Sequence, residues 1–522
     1  MKKLNYIIVL ALTLVLGACA KLTENPVGVF TPGAFFAQAS DATAAVYGAY
    51  APFESYTDYG NDYFIGCGTQ DDQVKDAYSD TWFHDKFIFD NTEQKIGTVW
   101  ATIYKEISAA NNAISGIPRI ADNLLSPDAK NALIAEAKCI RAFDYFRLVR
   151  LFGAVPYISK PILDPATASK ITRMPTANIY DSITIDLEAS KLLLPNNYDA
   201  NGVLIRSRIS KGTAYTILAD VYLTRGNWAL AAQNAEYVIT HKADFGYDLL
   251  PDYAQVFDFY DGNDNAEYIW SVDYSTIDGN TNQDQFAQLC GFGAWMGWGN
   301  PWGGWGTVYM SAAALKDFPA ADYRRKVTFI EDASDAAVGG IMHHFDEATL
   351  PFPQSSPVAA KTYGSYIGKP GVGPGGKKGQ GNAFLTDANW PIYRYAEVLL
   401  IAAEAEARLG NAATSMTYAN LVRARARNYN GVVGSSLIPA DLVGLSAANV
   451  QDSVIRERKR ELCMEEKRWF DIKRLGLDLS VVYGPNGTDP LTPVPTNVNA
   501  NLLWPIPVLE SNKNPNLLLD VQ

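Results

Sequence analysis

Two stretches of the chain place small residues at helical spacing on both sides of a glycine, and this pattern constrains the fold most strongly. The first covers residues 211–240 around Gly226, and the second covers residues 398–426 around Gly410. Small residues three or four positions apart let two helices approach closely, and a glycine allows the chain to reverse between them. Each stretch therefore predicts a tight pair of helices; two unrelated alanine-rich hairpins are the alternative.

Hydrophobic periodicity divides the chain into three zones. Residues from about 38 to 240 and from 393 to about 475 are mostly helix-periodic, whereas residues 243–390 are not and hold six of the eleven tryptophans. The two helix pairs follow the logic of tetratricopeptide (TPR) repeats, but the middle zone separates them, so they are not a tandem array. We predict a mostly α-helical fold, in which a scaffold of TPR-like helix pairs carries a loop-rich variable region and a few short strands.

A strong helical pattern covers residues 128–150. It predicts a helix that is stopped by Gly153. An apolar stripe runs along this helix beside a polar stripe formed by Arg141, Asp144 and Arg147.

Three other segments have clear local signals. Residues 92–114 and 179–194 each show helical periodicity. Tyr268–Val272 is rich in aromatic and β-branched residues, which predicts a strand at the start of the middle zone.

The N-terminus has the layout of an export signal. Lys2 and Lys3 precede an apolar run over residues 6–16, and small residues then lead to Cys19. The run is too short for a membrane span, which needs about 20 apolar residues. The cysteine after the small residues resembles the lipobox of bacterial lipoproteins. We predict a signal peptide over residues 1–18 and a single body over residues 19–522 that is lipidated at Cys19; a plain signal peptide with an incidental cysteine is the alternative.

Charge and cysteine content exclude several classes of function. The net charge is −12, and removal of the two leader lysines makes it more negative, so a nucleic-acid partner is not expected. The remaining cysteines lack metal-binding spacing. Cys139 and Cys463 are predicted in the core, whereas the sequence leaves open whether Cys67 and Cys290 pair.

Several blocks, which follow one another over nearly the whole chain, together resemble one known family. They are residues 136–156, 211–223, 265–270, 457–462, 468–476 and 505–516. With the lipobox in front, they resemble the SusD/RagB family, the lipid-anchored nutrient-binding proteins of Bacteroidetes outer membranes. The chain departs from the family pattern at residues 463–464, 466–467 and 517–522, all within scaffold segments.

The resemblance implies a fold and a role. The fold is a scaffold of TPR-like helix pairs beneath a variable, loop-rich face. The role is capture of oligosaccharides at the cell surface for a SusC-like TonB-dependent transporter in the outer membrane. Some relatives bind peptides instead, so peptide binding remains an alternative.

A cluster of four tryptophans is the first candidate for the ligand site. Glycines separate Trp295, Trp298, Trp302 and Trp305, and Asn300 lies among them. Indole rings offer flat apolar platforms for sugar faces together with an N–H donor, and glycine lets the backbone aim them at a groove. An aromatic minicore that fixes a long loop is the alternative.

A second candidate follows residue 69. Asp72, Tyr78, Trp82 and Asn91 lie in a polar segment that resembles, in its position along the chain, the first variable loop of the SusD/RagB family. Decoration of a surface loop is the alternative.

The charged segment 456–474 is predicted to be scaffold and not an anion site. Its opposite charges recur at helical spacing, which predicts local ion pairs. These pairs are Glu457–Arg460, Arg458–Glu461, Glu465–Arg468 and Lys467–Asp471.

Enzymatic function has little support. The chain has four histidines, without a zinc-protease motif, and it lacks a nucleophile elbow. A glycosidase pair of Asp71 or Asp72 with Asp261 or Asp264 remains an alternative, as does a structural TPR adaptor. No cofactor is expected. The acidic segment 258–264 is a candidate for calcium, but it lacks the alternating ligand order of an EF-hand.

Overall fold

The fold comes from a computed structural model. It describes residues 35–76, 87, 89–257, 264–274, 308–310, 314, 317–330, 366–367, 389–428, 432–479, 482 and 502–521. The predicted signal peptide and Cys19 therefore lie outside the described residues. None of the helices within these ranges has the length and apolarity to span a bilayer.

The described elements are mainly helices. The helices are α1 (Ala39–Tyr50), α2 (Asp62–Gly68), α3 (Gln94–Gly116), α4 (Pro127–Phe152), α5 (Pro165–Ala168), α6 (Thr176–Ser190), α7 (Lys211–Thr224), α8 (Trp228–Thr240), α9 (Lys242–Phe245), α10 (Tyr323–Thr328), α11 (Tyr395–Arg408), α12 (Ala412–Ala426), α13 (Ala447–Glu461), α14 (Arg468–Leu475) and α15 (Val508–Lys513). The strands are β1 (Val74–Asp76), β2 (Asp199–Ala200), β3 (Val203–Leu204), β4 (Tyr268–Val272), β5 (Val308–Met310), β6 (Phe329–Ile330), β7 (Tyr366–Ile367) and β8 (Trp390–Arg394).

The long helices pack one after another into a continuous scaffold. Helix α3 packs on α4, α4 on α6, α6 on α7 and α7 on α8; α8 then packs on α11, which also packs on α12 and α13. The predicted helix pairs are α7–α8 and α11–α12. They are neighbours in space although the middle zone separates them in sequence, and Tyr418 of α12 donates a hydrogen bond to Glu236 of α8 (3.0 Å). The mostly helical, TPR-like fold is confirmed.

Both predicted turns use glycine in a left-handed conformation. Gly226 has φ = 73° between α7 and α8, and Gly410 has φ = 89° between α11 and α12. Residues with a Cβ rarely adopt these angles, which explains why glycine ends both first helices. After the first turn, the Asn227 side chain accepts a hydrogen bond from the N–H of Leu230 (3.4 Å) and so caps α8.

Helix α4 has the predicted ends but not the predicted amphipathic character. The Ser126 side chain caps its start, and Gly153, with φ = 72°, ends it. Its polar stripe is buried: Arg147 lies inside the protein with Asp58, Glu106 and Asp144, all without exposed side-chain surface. Burial raises the pKa values of Glu106 and Asp144. The neighbouring carboxylates act in the same direction, and the single guanidinium of Arg147 is shared among three carboxyl groups.

The strands form antiparallel pairs. The predicted strand is confirmed as β4, and it pairs with β8 with irregular register. The other pairs are β1 with β5, β2 with β3 and β6 with β7. Cys139 and Cys463 are buried, as predicted, and Cys67 is a buried free thiol. Cys290 lies outside the described residues.

We expect Ala403→Leu in α11 to lower the free energy of unfolding by about 1–3 kcal/mol, because extra methylenes overpack a close helix contact. Ala403 is fully buried, and its carbonyl accepts a hydrogen bond from Ser415 of α12 at 2.6 Å. The control is Ala413→Leu on the exposed side of α12. Urea unfolding measures both variants, and equal stabilities would contradict close packing of this pair.

Candidate functional site

Most of the predicted ligand-binding residues lie outside the described residues. Their role stays a prediction, and the structure instead shows where the segments that carry them join the scaffold. These residues are Tyr78, Trp82, Trp295, Trp298, Asn300, Trp302 and Trp305.

The two candidate segments join the described structure at the same place. Strand β1 ends at Asp76, just before the segment with Tyr78 and Trp82, and β5 begins at Val308, three residues after Trp305. In the antiparallel β1–β5 pair, Asp76 is the register partner of Val308. The scaffold thus brings one end of each candidate segment to neighbouring positions.

The middle zone also begins and ends at neighbouring positions. Tyr274 lies two residues after the end of β4, and Asn389 immediately precedes β8. The Tyr274 N–H donates to the Asn389 side-chain oxygen (3.1 Å), and the Asn389 amide nitrogen donates to Asp273 (2.7 Å). This junction closes the intervening segment on the scaffold.

The structure places Asp72 in the interior, in contrast to the predicted ligand-contacting position. Its side chain is 2% exposed and accepts hydrogen bonds from Arg468 Nε (2.7 Å) and Nη2 (3.0 Å), while Lys459 Nζ lies 2.9 Å away. Burial acts to raise the pKa of Asp72, but the charges of Arg468 and Lys459 outweigh it and hold the pKa well below its usual range. A carboxylate so enclosed cannot contact a ligand, so Asp72 leaves the candidate set.

Residues 69–73 form a buried polar loop, in contrast to the exposed loop that the sequence predicts. Asp71 accepts hydrogen bonds from the N–H groups of Gln73 (2.7 Å) and Val74 (3.0 Å), and the Gln73 amide donates to the Lys459 carbonyl (2.8 Å). Burial, together with the negative charge of Asp72, raises the pKa of Asp71 to about 7. This loop joins α2 to β1 and fixes β1 against the scaffold.

Asn91 is exposed in a turn before α3. Its carbonyl accepts a hydrogen bond from the N–H of Val508 at the start of α15 (2.7 Å). The neighbouring Asp90 accepts from the Thr92 N–H (2.7 Å) and closes the turn. The turn is therefore held by the C-terminal segment, and the Asn91 side chain faces solvent.

A buried group of charges on and beside α13 fixes the remaining junctions; we call it the α13 ion-pair cluster. Arg394, at the end of β8, bonds to Glu461 (2.6 Å), Glu465 (2.6 Å) and Glu267 (2.7 Å). Arg425 of α12 also bonds to Glu267 (2.6 Å) and to Glu461. The end of the β4–β8 pair at which Tyr268 faces Arg394 is thus bound to α13 and the residues that follow it.

The same cluster reaches the middle of the variable region. Arg324, in α10, bonds to Glu457 (2.5 Å) and Glu461 (2.9 Å) with no exposed side-chain surface. Arg460 pairs with Asp317 at 3.2 Å. These contacts attach residues 317–330 directly to α13.

The predicted scaffold role of residues 456–474 is supported, but the predicted local partners are wrong. Most of the ion pairs that hold these side chains reach other elements, because the segment is largely buried and not on a solvated surface; Asp471–Arg474 is a local pair, but not one of those predicted. Lys467 pairs with Glu397 (3.0 Å), and Asp471 with Arg458 (3.2 Å) and Arg474 (2.7 Å). The sequence signal missed was that such charge density next to Trp469 and Phe470 needs buried partners elsewhere in the chain.

The alternative catalytic pair finds no open arrangement among the described residues. Asp71 and Asp72 are buried. Asp264 accepts a hydrogen bond from the Arg206 N–H (3.2 Å), and Asp261 lies outside the described residues. Within the described ranges, no three His, Cys, Asp or Glu side chains are grouped so as to hold a metal ion.

A cleft of about 700 Å³ lies between α3, residues 156–171 and α15. Its lining is mostly apolar, and Trp100 in its wall is only 3% exposed. Tyr104 donates its hydroxyl to the Pro156 carbonyl (2.8 Å), and Asn514 donates to the Ile171 carbonyl (2.7 Å). These two polar groups are engaged within the protein, and the charged side chains in the lining are those of Lys105, Glu510 and Lys513.

Comparisons with known proteins agree with this architecture. A family model described as "SusD family" matches residues 266–519, and one described as "Starch-binding associating with outer membrane" matches residues 40–223. The chain is 33% identical over 523 residues to the SusD-like protein P2 of Formosa agariphila, with 98% of this chain and 97% of that protein covered.

Two solved structures share the fold. One is a SusD-like carbohydrate binding protein from Bacteroides fragilis, with 20% identity and a TM-score of 0.73 over 92% of this chain and 99% of that chain. The other is a laminarin binding SusD-like protein, with 19% identity and a TM-score of 0.69 over 92% of this chain and 98% of that chain.

We expect Asp71→Asn to weaken the pH dependence of stability. The asparagine oxygen keeps both backbone hydrogen bonds. In the native chain, the pKa of Asp71 is raised from 3.8 to about 7, so stability falls as pH rises through that window and is constant above it, by an amount on the order of a few kcal/mol. Asp71→Asn should therefore match the native chain near pH 4 and be more stable near pH 7.5 in urea unfolding; parallel pH profiles would contradict this.

Proposed function

This chain belongs to the SusD family, and from that premise we propose that it is a cell-surface lipoprotein that binds oligosaccharides noncovalently and passes them to a SusC-like TonB-dependent transporter. Lipidation at Cys19 would hold the body at the outer membrane. A binder that is tethered beside its transporter acts at a high effective concentration, so even modest affinity for a ligand suffices for delivery.

One observation carries the proposed site: the register pairing of Asp76 with Val308 in β1–β5. Because Tyr78 and Trp82 follow β1 and the Trp295–Trp305 cluster precedes β5, the two aromatic segments start from one point on the scaffold. We propose that they form a single site, in which indole rings stack on sugar faces and Asn300 bonds hydroxyl groups.

The descriptions of similar proteins suggest the first ligands to examine. The two similar structures are described as laminarin binding and carbohydrate binding, and one matching family model is described as starch-binding. Laminarin and starch are both glucans, so we propose a glucan as the ligand class. We propose binding without cleavage because Asp71 and Asp72 are enclosed by the scaffold. One of these two residues would have to supply a carboxyl group of the alternative glycosidase pair.

We expect the double variant Trp298→Ala, Trp302→Ala to lose retardation in polysaccharide affinity gels. The experiment uses the body from residue 20 to residue 522 against laminarin, starch and a peptide-loaded gel. The matched control is Trp228→Ala, which removes an indole from the scaffold helix α8. Unchanged retardation of the double variant would remove the cluster from the site, and retention by peptide alone would favour the peptide-binding alternative.

We also expect no shortened products when the same body is incubated with these polysaccharides. Chromatography of the oligosaccharides over a long incubation measures cleavage. Released sugar that disappears in Asp71→Asn or Asp264→Asn would contradict a binding function without catalysis.

A further inference from the structure

The buried loop before β1 has a use beyond the stability of the scaffold. We infer that Asp72 is a positioning residue for the proposed glycan site, because its ion pairs fix the strand pair from which both aromatic segments start. The inference rests on the proposed function and adds to it the scaffold contact on which affinity depends.

Both carboxylate oxygens of Asp72 have cationic partners. Arg468 binds both carboxylate oxygens of Asp72, at 2.7 and 3.0 Å, and Lys459 approaches one of them at 2.9 Å. A bidentate guanidinium–carboxylate pair fixes orientation as well as distance. The cations belong to α13 and α14, so the loop is bound to the C-terminal helices of the scaffold.

The strand pair depends on this contact because it is small. Strands β1 and β5 have three residues each. An isolated pair of such short strands is only marginally stable in water. Val74, the first residue of β1, is fully buried and lies two residues after Asp72. The position of β1 is therefore set by the loop that Asp72 holds, and β1 is the strand with which β5 pairs.

The role is positioning and not ligand contact, because the Asp72 side chain is 2% exposed. Loss of its charge leaves Arg468 buried next to an uncharged partner and weakens the attachment of β1. The β1–β5 pair, from which both aromatic segments start, then keeps its position for a smaller fraction of the time, and the apparent affinity falls by that fraction.

The test compares Asp72→Asn with Asp186→Asn. Asp186 forms a similar bidentate pair with Arg141, at 2.8 to 3.0 Å, between α4 and α6, which carry neither aromatic segment. We expect Asp72→Asn to raise the dissociation constant for the polysaccharide that retards the native chain by about tenfold or more. Asp186→Asn should bind like the native chain although it too loses a buried pair, and Asp72→Glu should restore part of the affinity.

Hydrogen exchange gives a second readout that needs no ligand. In Asp72→Asn, the amides of residues 74–76 and 308–310 should lose protection while those of α7 and α11 keep it. Native affinity in Asp72→Asn, or an equal loss in Asp186→Asn, would overturn the inference. If the native chain binds no polysaccharide, the proposed function fails, and unchanged protection of the two strands would then overturn the positioning role independently.

Discussion

The rest of the structure depends on the burial of Glu461. Its carboxylate, fully buried, receives guanidinium groups from Arg324, Arg394 and Arg425, which come from the variable region, from β8 and from α12. Transfer of such charges out of water is costly, and each one is tolerated only while its partners are in place. The scaffold and the attachments of the variable region are therefore mutually dependent, and removal of one arginine would leave the same buried carboxylates with less positive charge to balance them.

This arrangement separates two tasks within one chain. The helix pairs bury apolar surface and form the scaffold, whereas the charged residues of α13 and α14 determine where the non-helical segments attach. Apolar contacts are nondirectional, but a guanidinium paired with two carboxylates fixes both distance and angle. Charged side chains thus suit the junctions, where short strands such as β1 and β5 need a defined position.

The sequence was sufficient to predict the scaffold but not the attachments. Glycine turns at Gly226 and Gly410, a helix over residues 128–150 and the strand Tyr268–Val272 follow from local patterns, and the structure contains them, with the helix extended to Pro127–Phe152. The buried position of Asp72 and the partners of Glu457 and Glu461 depend on residues up to several hundred positions away. Local spacing favoured neighbouring partners on the same helix, because nothing in a single segment reveals that its polar face is buried.

The junction at Tyr274 and Asn389 has a consequence for chain entropy. Helices α8 and α11 pack against each other, and the variable region between them has both ends fixed at one place. The entropy of closing a flexible loop changes slowly with length, by about 0.6 kcal/mol for each doubling. Outside residues 317–330, which α13 holds, the chain between these ends can therefore differ widely in number and composition at little thermodynamic cost to the helices, which makes this junction a suitable point for exchanging one binding surface for another.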